Sequence, residues 1–126
     1  KRIRLADLFL DTFPYNGHTT ASDALRVGLP YLTLSGKSFA SRVAGSLLHA
    51  SDLPELVTSN LEDYQARAIA LGNNRVAYRE LRTRLENSLD TSRLFDSSRF
   101  AAALERGFEK AVERRRQRLP PDHIYL

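Results

Sequence analysis

Two short, continuous apolar runs flank a helix-like segment in the first third of the chain. Leu8-Phe9-Leu10, ending at Asp11-Thr12, and Tyr31-Leu32-Thr33-Leu34-Ser35 do not alternate with polar residues, and both are too short for amphipathic helices. They predict buried strands over 8–12 and 31–35. Between them, Thr20 to Val27 predicts a helix that Gly28 ends and Pro30 keeps from resuming. Strand, helix and strand at this spacing form a βαβ unit, with parallel strands and a right-handed crossover.

Phe39, Val43, Leu47 and Leu48 then recur at helical spacing and predict a helix over 38–49. Leu53-Pro54-Glu55-Leu56-Val57 offers a third strand. Ser59-Asn60-Leu61-Glu62 has capping-box spacing, so Ser59 is expected to start a helix carrying Leu61, Tyr64, Ala68 and Leu71, which Gly72-Asn73-Asn74 stops. A further helix holds Val76, Leu81 and Leu85. The last carries Phe100, Ala103, Leu104, Gly107, Phe108, Ala111 and Val112 as a wide apolar stripe, and Pro120-Pro121 closes the domain. Such a stripe serves a core more often than a partner. The pattern reads as an α/β fragment: residues 1–58 form half of a doubly wound parallel sheet, and residues 59–126 form a helical C-terminal part. Sheets of this kind bind ligands beyond the carboxyl ends of their strands.

Length and composition narrow the function classes. At 126 residues, 42% hydrophobic and 27% charged, the chain has ordinary globular composition for one domain. It opens on Lys1, which reads as a piece excised from a longer protein. Zero cysteines exclude a disulfide framework and any cysteine-based nucleophile or metal site. No apolar run approaches the ~20 residues that span a bilayer, so a soluble, cytoplasmic protein is expected. The net charge of +4 raises the question of nucleic acid, most of all at Arg114-Arg115-Arg116-Gln117-Arg118. Glu105, Glu109 and Glu113 dilute that field, and no aromatic residues interleave. A solvated helix end, its cations matched to the dipole, is the better reading.

The candidate chemistry lies in Asn16-Gly17-His18-Thr19-Thr20-Ala21-Ser22-Asp23, at the carboxyl end of the first expected strand. A glycine-bearing turn that opens a helix leaves unpaired N–H groups for an anion. Asp23 lies four residues after Thr19 and three after Thr20, so all three can share one helical face. Hydroxyls and amides beside a phosphate, with a carboxylate one turn deeper, suit a nucleotide-sugar. Each residue also has a plainer role. His18 can cap a backbone group, Thr19 and Thr20 can serve as N-caps, and Asp23 is welcome early in any helix. Asp11, placed to orient the loop, and Lys37 are secondary candidates. His49 and His123 read as structural.

Leu5-Ala6-Asp7, Leu10-Asp11-Thr12, Asn16-Gly17-His18-Thr19-Thr20, Asp23, Gly28-Leu29-Pro30, Gly36 and Ala40-Ser41-Arg42-Val43-Ala44 follow in order at close spacing. In these residues the chain resembles the C-terminal part of the catalytic region of the O-GlcNAc transferase and SPINDLY family of protein O-glycosyltransferases. The likeness extends to Pro121-Asp122-His123. It implies a Rossmann-like half of the C-terminal domain of a GT-B glycosyltransferase, from a parent carrying helical TPR repeats. By the same resemblance Asp23 takes the donor ribose hydroxyls, the Thr19-Thr20 helix start holds the diphosphate, and His18 faces phosphate or base, with Asn16 and Gly17 forming the turn. The implied chemistry is inverting transfer from a nucleotide-sugar, UDP-GlcNAc before GDP-fucose, to Ser or Thr of a protein acceptor. It needs no metal or other cofactor, because amides and a lysine neutralise the leaving diphosphate. That lysine belongs upstream of Lys1, and no catalytic residue is assignable within this chain.

Phe13-Pro14-Tyr15 and Ala21-Ser22 depart from the better-known animal enzymes beside the donor, which leaves the donor open. A non-catalytic nucleotide-binding or scaffolding module is the alternative from a different class, and a basic nucleic-acid-binding domain is the third. The exposed sheet edge and apolar stripe further predict that the isolated chain self-associates.

Overall fold

Three parallel strands, β1 (Phe9–Leu10), β2 (Tyr31–Leu34) and β3 (Val57–Thr58), form one sheet in the order β1-β2-β3. The computed structural model describes residues 2–89 and 91–126. In the register, Phe9 lies opposite Tyr31 and Leu10 opposite Leu32, while Thr33 faces Val57 and Leu34 faces Thr58. The two halves of β2 thus pair with different neighbours. Tyr31, Leu32 and Thr33 are all fully buried, and successive strand residues point to opposite faces, so both faces of the sheet are covered.

Helices α1 (Thr19–Arg26) and α2 (Val43–Ala50) pack on each other and on β2. Two right-handed crossovers stepping in one direction place their helices on the same face. α3 (Leu61–Asn73) packs on β2 and β3, and α4 (Arg75–Ser88) lies against α3. The core joins Ala21, Ala24 and Leu25 of α1 and Ala44 and Leu48 of α2 to Tyr64, Leu81 and Leu85 of the later helices. Inside it the Tyr31 hydroxyl donates to the Ala44 carbonyl, tying β2 to α2. α1 ends as its sequence predicts. Gly28 takes φ +75°, its N–H donates to the Leu25 carbonyl at 2.9 Å, and the Leu29 N–H donates to that of Ala24 at 2.9 Å.

Several boundaries differ from expectation. Pro54–Leu56 form a 3-10 turn rather than strand, and pairing begins only at Val57. Proline has no N–H for a ladder, and the Leu56 N–H closes back on the Leu53 carbonyl. The helix expected over 38–49 is divided into a 3-10 turn, Phe39–Ser41, and α2, with Arg42 at φ −121° between them. Asn60, not Ser59, caps α3, its side chain accepting the Asp63 N–H at 2.8 Å. Asn74 both closes α3 and caps α4, accepting the Ala77 N–H at 3.1 Å.

The chain resolves into two compact units that meet between Phe95 and Asp96, so α3 and α4 belong to the unit of the sheet. The second unit, Asp96–Leu126, is built on α5 (Ser97–Arg116), which Asp96 caps through the Arg99 N–H at 2.9 Å. The expectation that its stripe serves a core is corrected: no residue of α5 is buried. The stripe divides in two. Leu126 approaches within 3.5 Å of a Cβ built on Gly107, because the tail folds back after Arg118, whose φ is +57°. Lys110 Nζ donates to the Tyr125 carbonyl at 2.5 Å and Arg114 Nε to that of Pro120 at 2.6 Å, which fastens the tail. Phe100, Leu104, Phe108 and Val112, about 100° round the helix, stay exposed.

Candidate functional site

β1 and β2 deliver their carboxyl ends to one mouth, where the loop 11–18 meets the loop 35–42. Asp11, only 3% exposed, is the hub of the first loop. Its Oδ1 accepts the N–H groups of Thr12 at 2.9 Å and Gly17 at 2.7 Å, and its Oδ2 accepts the Thr33 hydroxyl at 2.6 Å. A buried carboxylate needs such donors. The Tyr64 hydroxyl, from α3, donates to the Asp11 main-chain carbonyl at 3.0 Å. Asp11 therefore orients the turn, as its place at the strand end predicts. Burial, with the Asp11 charge adding to it, holds the phenols of Tyr31 and Tyr64 above the ordinary tyrosine range.

Asn16 is the second anchor, and it is buried too. Its N–H donates to the Ala40 carbonyl at 3.0 Å, and its Nδ2 donates to the carbonyls of Thr12 at 3.1 Å and Leu34 at 3.3 Å. The Thr12 hydroxyl closes the loop from within by donating to the Tyr15 carbonyl at 2.7 Å. Gly17 sits in a close fit. A Cβ there would stand 3.2 Å from Asp11 Oδ1 and 3.4 Å from Phe9 Cζ.

His18 holds the N-cap position of α1 but makes no capping hydrogen bond. Its Nε2 lies 3.5 Å from the Ala40 carbonyl, at the outer limit of a hydrogen bond. The ring is instead held by aromatic contacts, stacked on Tyr15 at 5.0 Å between centroids and meeting the edge of Phe39 at 6.2 Å. The capping role considered for His18 and for the threonines is thus corrected: Thr19 and Thr20 form the first turn of α1 itself. With no side chain capping the helix, the first-turn amides remain available to an anion. Thr19, Thr20 and Asp23 share the exposed face of α1, opposite buried Ala21, Ala24 and Leu25. All six predicted site residues therefore gather at one mouth.

The secondary candidates part company. Asp11 is integral to the turn, whereas Lys37 is exposed in the neighbouring loop beyond Gly36. His49, in the last turn of α2, and His123, in the C-terminal tail, are exposed and lie in other segments. Two contributors to the turn were not legible in the sequence, Thr33 and Tyr64. Tyr64 registers in the pattern only as an apolar position on the face of α3, which carries no sign of where its hydroxyl goes. A cavity of about 540 Å³ opens near the ends of β2 and β3 against α3, lined by Ser35, Thr58, Ser59, Asp63 and Arg67 among others. It includes none of residues 16–23, and the turn's own geometry is the stronger pointer to chemistry. Among the described residues no His, Asp and Glu cluster could hold a metal, and no helix is long and apolar enough to cross a membrane.

Glycosyl transferase family 41 matches residues 1–104. The chain is 40% identical over 111 residues to a probable UDP-N-acetylglucosamine–peptide N-acetylglucosaminyltransferase SEC of Arabidopsis thaliana, covering 87% of this chain and 11% of that protein. It is 36% identical over 124 residues to a UDP-N-acetylglucosamine–peptide N-acetylglucosaminyltransferase of Caenorhabditis elegans, covering 98% and 11% respectively. Among solved structures, a mutant of the Thermobaculum terrenum O-GlcNAc transferase superposes with a TM-score of 0.76 at 36% identity, over 82% of this chain and 20% of that one. The chain thus spans about a tenth of the length of the curated relatives it matches. On the extent of these matches and the shared fold, the chain belongs to glycosyl transferase family 41.

Proposed function

We propose that this chain is the C-terminal part of the catalytic region of a cytoplasmic protein O-glycosyltransferase and supplies the diphosphate and ribose side of its donor site. The observation that carries the reading is the uncapped start of α1 at the carboxyl end of the sheet, with Thr19, Thr20 and Asp23 on its open face. In the reaction, a Ser or Thr hydroxyl of the acceptor attacks the anomeric carbon of the donor sugar, and the bond to the nucleoside diphosphate breaks on the opposite face, inverting the configuration. The hydroxyl proton passes to a base outside this chain. Negative charge grows on the leaving diphosphate, where the α1 amides and the two threonine hydroxyls stabilise it without a metal. Asp23, one turn deeper, accepts hydrogen bonds from the ribose hydroxyls. UDP-GlcNAc is the preferred donor, in keeping with the names of the relatives.

An isotopically labelled sample of the chain titrated with UDP and with GDP tests the site. UDP is expected to shift the amides of residues 18–23, and Asp23→Ala to weaken its binding by about 1.5–3 kcal/mol. In the intact enzyme, Thr20→Val should lower the rate at saturating donor. Unaltered UDP binding by a folded Asp23→Ala variant would put the site on another turn.

A further inference from the structure

We infer that Tyr64, on the third helix and outside the donor turn, is a positioning residue that latches that turn in its anion-binding shape. The inference rests on the proposed donor site and adds a part of the chain to which that reading gives no role.

Asp11 is engaged on every side. Its N–H donates to the Leu32 carbonyl at 3.0 Å, its carboxylate receives Thr33, Thr12 and Gly17, and its own carbonyl receives the Tyr64 hydroxyl. Of these partners, Tyr64 alone comes from α3. The same ring also meets Phe13, edge to face, with centroids 5.8 Å apart. Tyr64 therefore grips the loop twice, by hydroxyl at residue 11 and by ring at residue 13. Those two residues bracket the point where the chain leaves β1 for the turn. The Asp11 carbonyl that Tyr64 holds and the Thr12 N–H that donates to the Asp11 carboxylate belong to one peptide unit, so rotation of the 11–12 peptide would break both bonds together; the next peptide carries the Thr12 carbonyl that accepts from Asn16. Gly17, whose N–H ends on Asp11, immediately precedes the N-cap of α1. A displacement at Asp11 is thus passed to the first-turn amides through one hydrogen bond and two residues of chain.

Tyr64→Phe separates the two grips, because it keeps the ring against Phe13 and deletes the hydroxyl. In the full chain, amide hydrogen exchange and UDP titration are read on the same samples. The inference expects the Gly17 amide to exchange faster by about three- to tenfold, the range set by one hydrogen bond, while Leu25 and Leu32 in the core keep their wild-type rates. UDP affinity should fall by a similar factor. Tyr64→Leu, which also removes the ring, should enlarge both effects if it folds; the test stands on Tyr64→Phe if it does not. Unchanged Gly17 exchange in Tyr64→Phe, or acceleration shared equally by the core amides, would overturn the latch. Faster Gly17 exchange with wild-type UDP affinity would overturn the positioning role. If millimolar UDP left residues 18–23 of the wild-type chain unmoved, the donor reading itself would fall, a result separable from the exchange data.

Discussion

The hydroxyl of Thr33, from the middle strand, donates to Oδ2 of Asp11, at the end of its neighbour, across 2.6 Å. This bond fastens the end of β1 to β2 where main-chain pairing is running out. Thr33→Val keeps the shape and removes the donor, leaving one oxygen of a buried carboxylate unserved. Urea denaturation should show a loss of about 1.5–3 kcal/mol, the value of a hydrogen bond to a charged group. An unchanged midpoint would mean that Asp11 finds a replacement donor.

The end of α1 offers a separate test of backbone geometry. Gly28 sits at φ +75°, and a Cβ there would come within 2.9 Å of Glu86 Cγ on α4. Gly28→Ala should therefore destabilise the chain by more than about 1 kcal/mol. Adding Glu86→Ala should recover only the part due to crowding, since the left-handed conformation remains. Complete recovery in the double variant would show that backbone strain contributes nothing.

Alkaline pH should reveal the two buried phenols. Tyr31 and Tyr64 both have pKa values raised above the ordinary 10.0, by burial first and by the Asp11 charge second. Folding thus favours their protonated forms, and the stabilisation is complete below the unfolded value. It is lost as pH climbs through the range between the unfolded and folded values. The denaturation midpoint should fall above about pH 10, and Tyr31→Phe should flatten that fall. Phenolate absorbance from all five tyrosines in a chain that remains folded at that pH would contradict the assignment.

Two properties of the isolated chain follow from its span of about a tenth of its relatives. It should transfer no sugar to peptides from a labelled nucleotide donor, since the proposed reading gives it the donor side alone. It should also self-associate, because β1 pairs on one side only and Phe100, Leu104, Phe108 and Val112 are exposed. Sedimentation over a concentration series decides the second point; a monomer at the highest concentration would refute it.

The parts of the fold legible in the sequence are those with a local cause. Continuous apolar runs marked β1 and β2, and Gly28 before Pro30 marked the end of α1. α2 ends the same way, but Asp52 takes the left-handed position at φ 56°, with the Leu53 N–H reaching the Leu48 carbonyl at 3.0 Å. Aspartate is a far weaker signal for that conformation than glycine, so the chain beyond it read directly as strand. The tail reverses at Arg118 with equally little warning. At the site, Thr19, Thr20 and Asp23 were legible because helical spacing alone puts them on one face. Asp11 was half legible, as a strand end. The bonds from Thr33 and Tyr64 span 22 and 53 residues, and no local pattern encodes them.

β1 and β3 are each two residues long, so side chains hold the mouth together more than the main-chain ladder does. Stability and the shape of the turn then draw on the same residues, and selection cannot tune one without touching the other. Drift at Asp11, Asn16 or Thr33 would first cost the cell protein abundance, whatever else it changed at the turn. Room for innovation lies on the rim, at Tyr15, Lys37 and Phe39, which are exposed. Sequence change should accumulate at those three positions, over an unaltered floor.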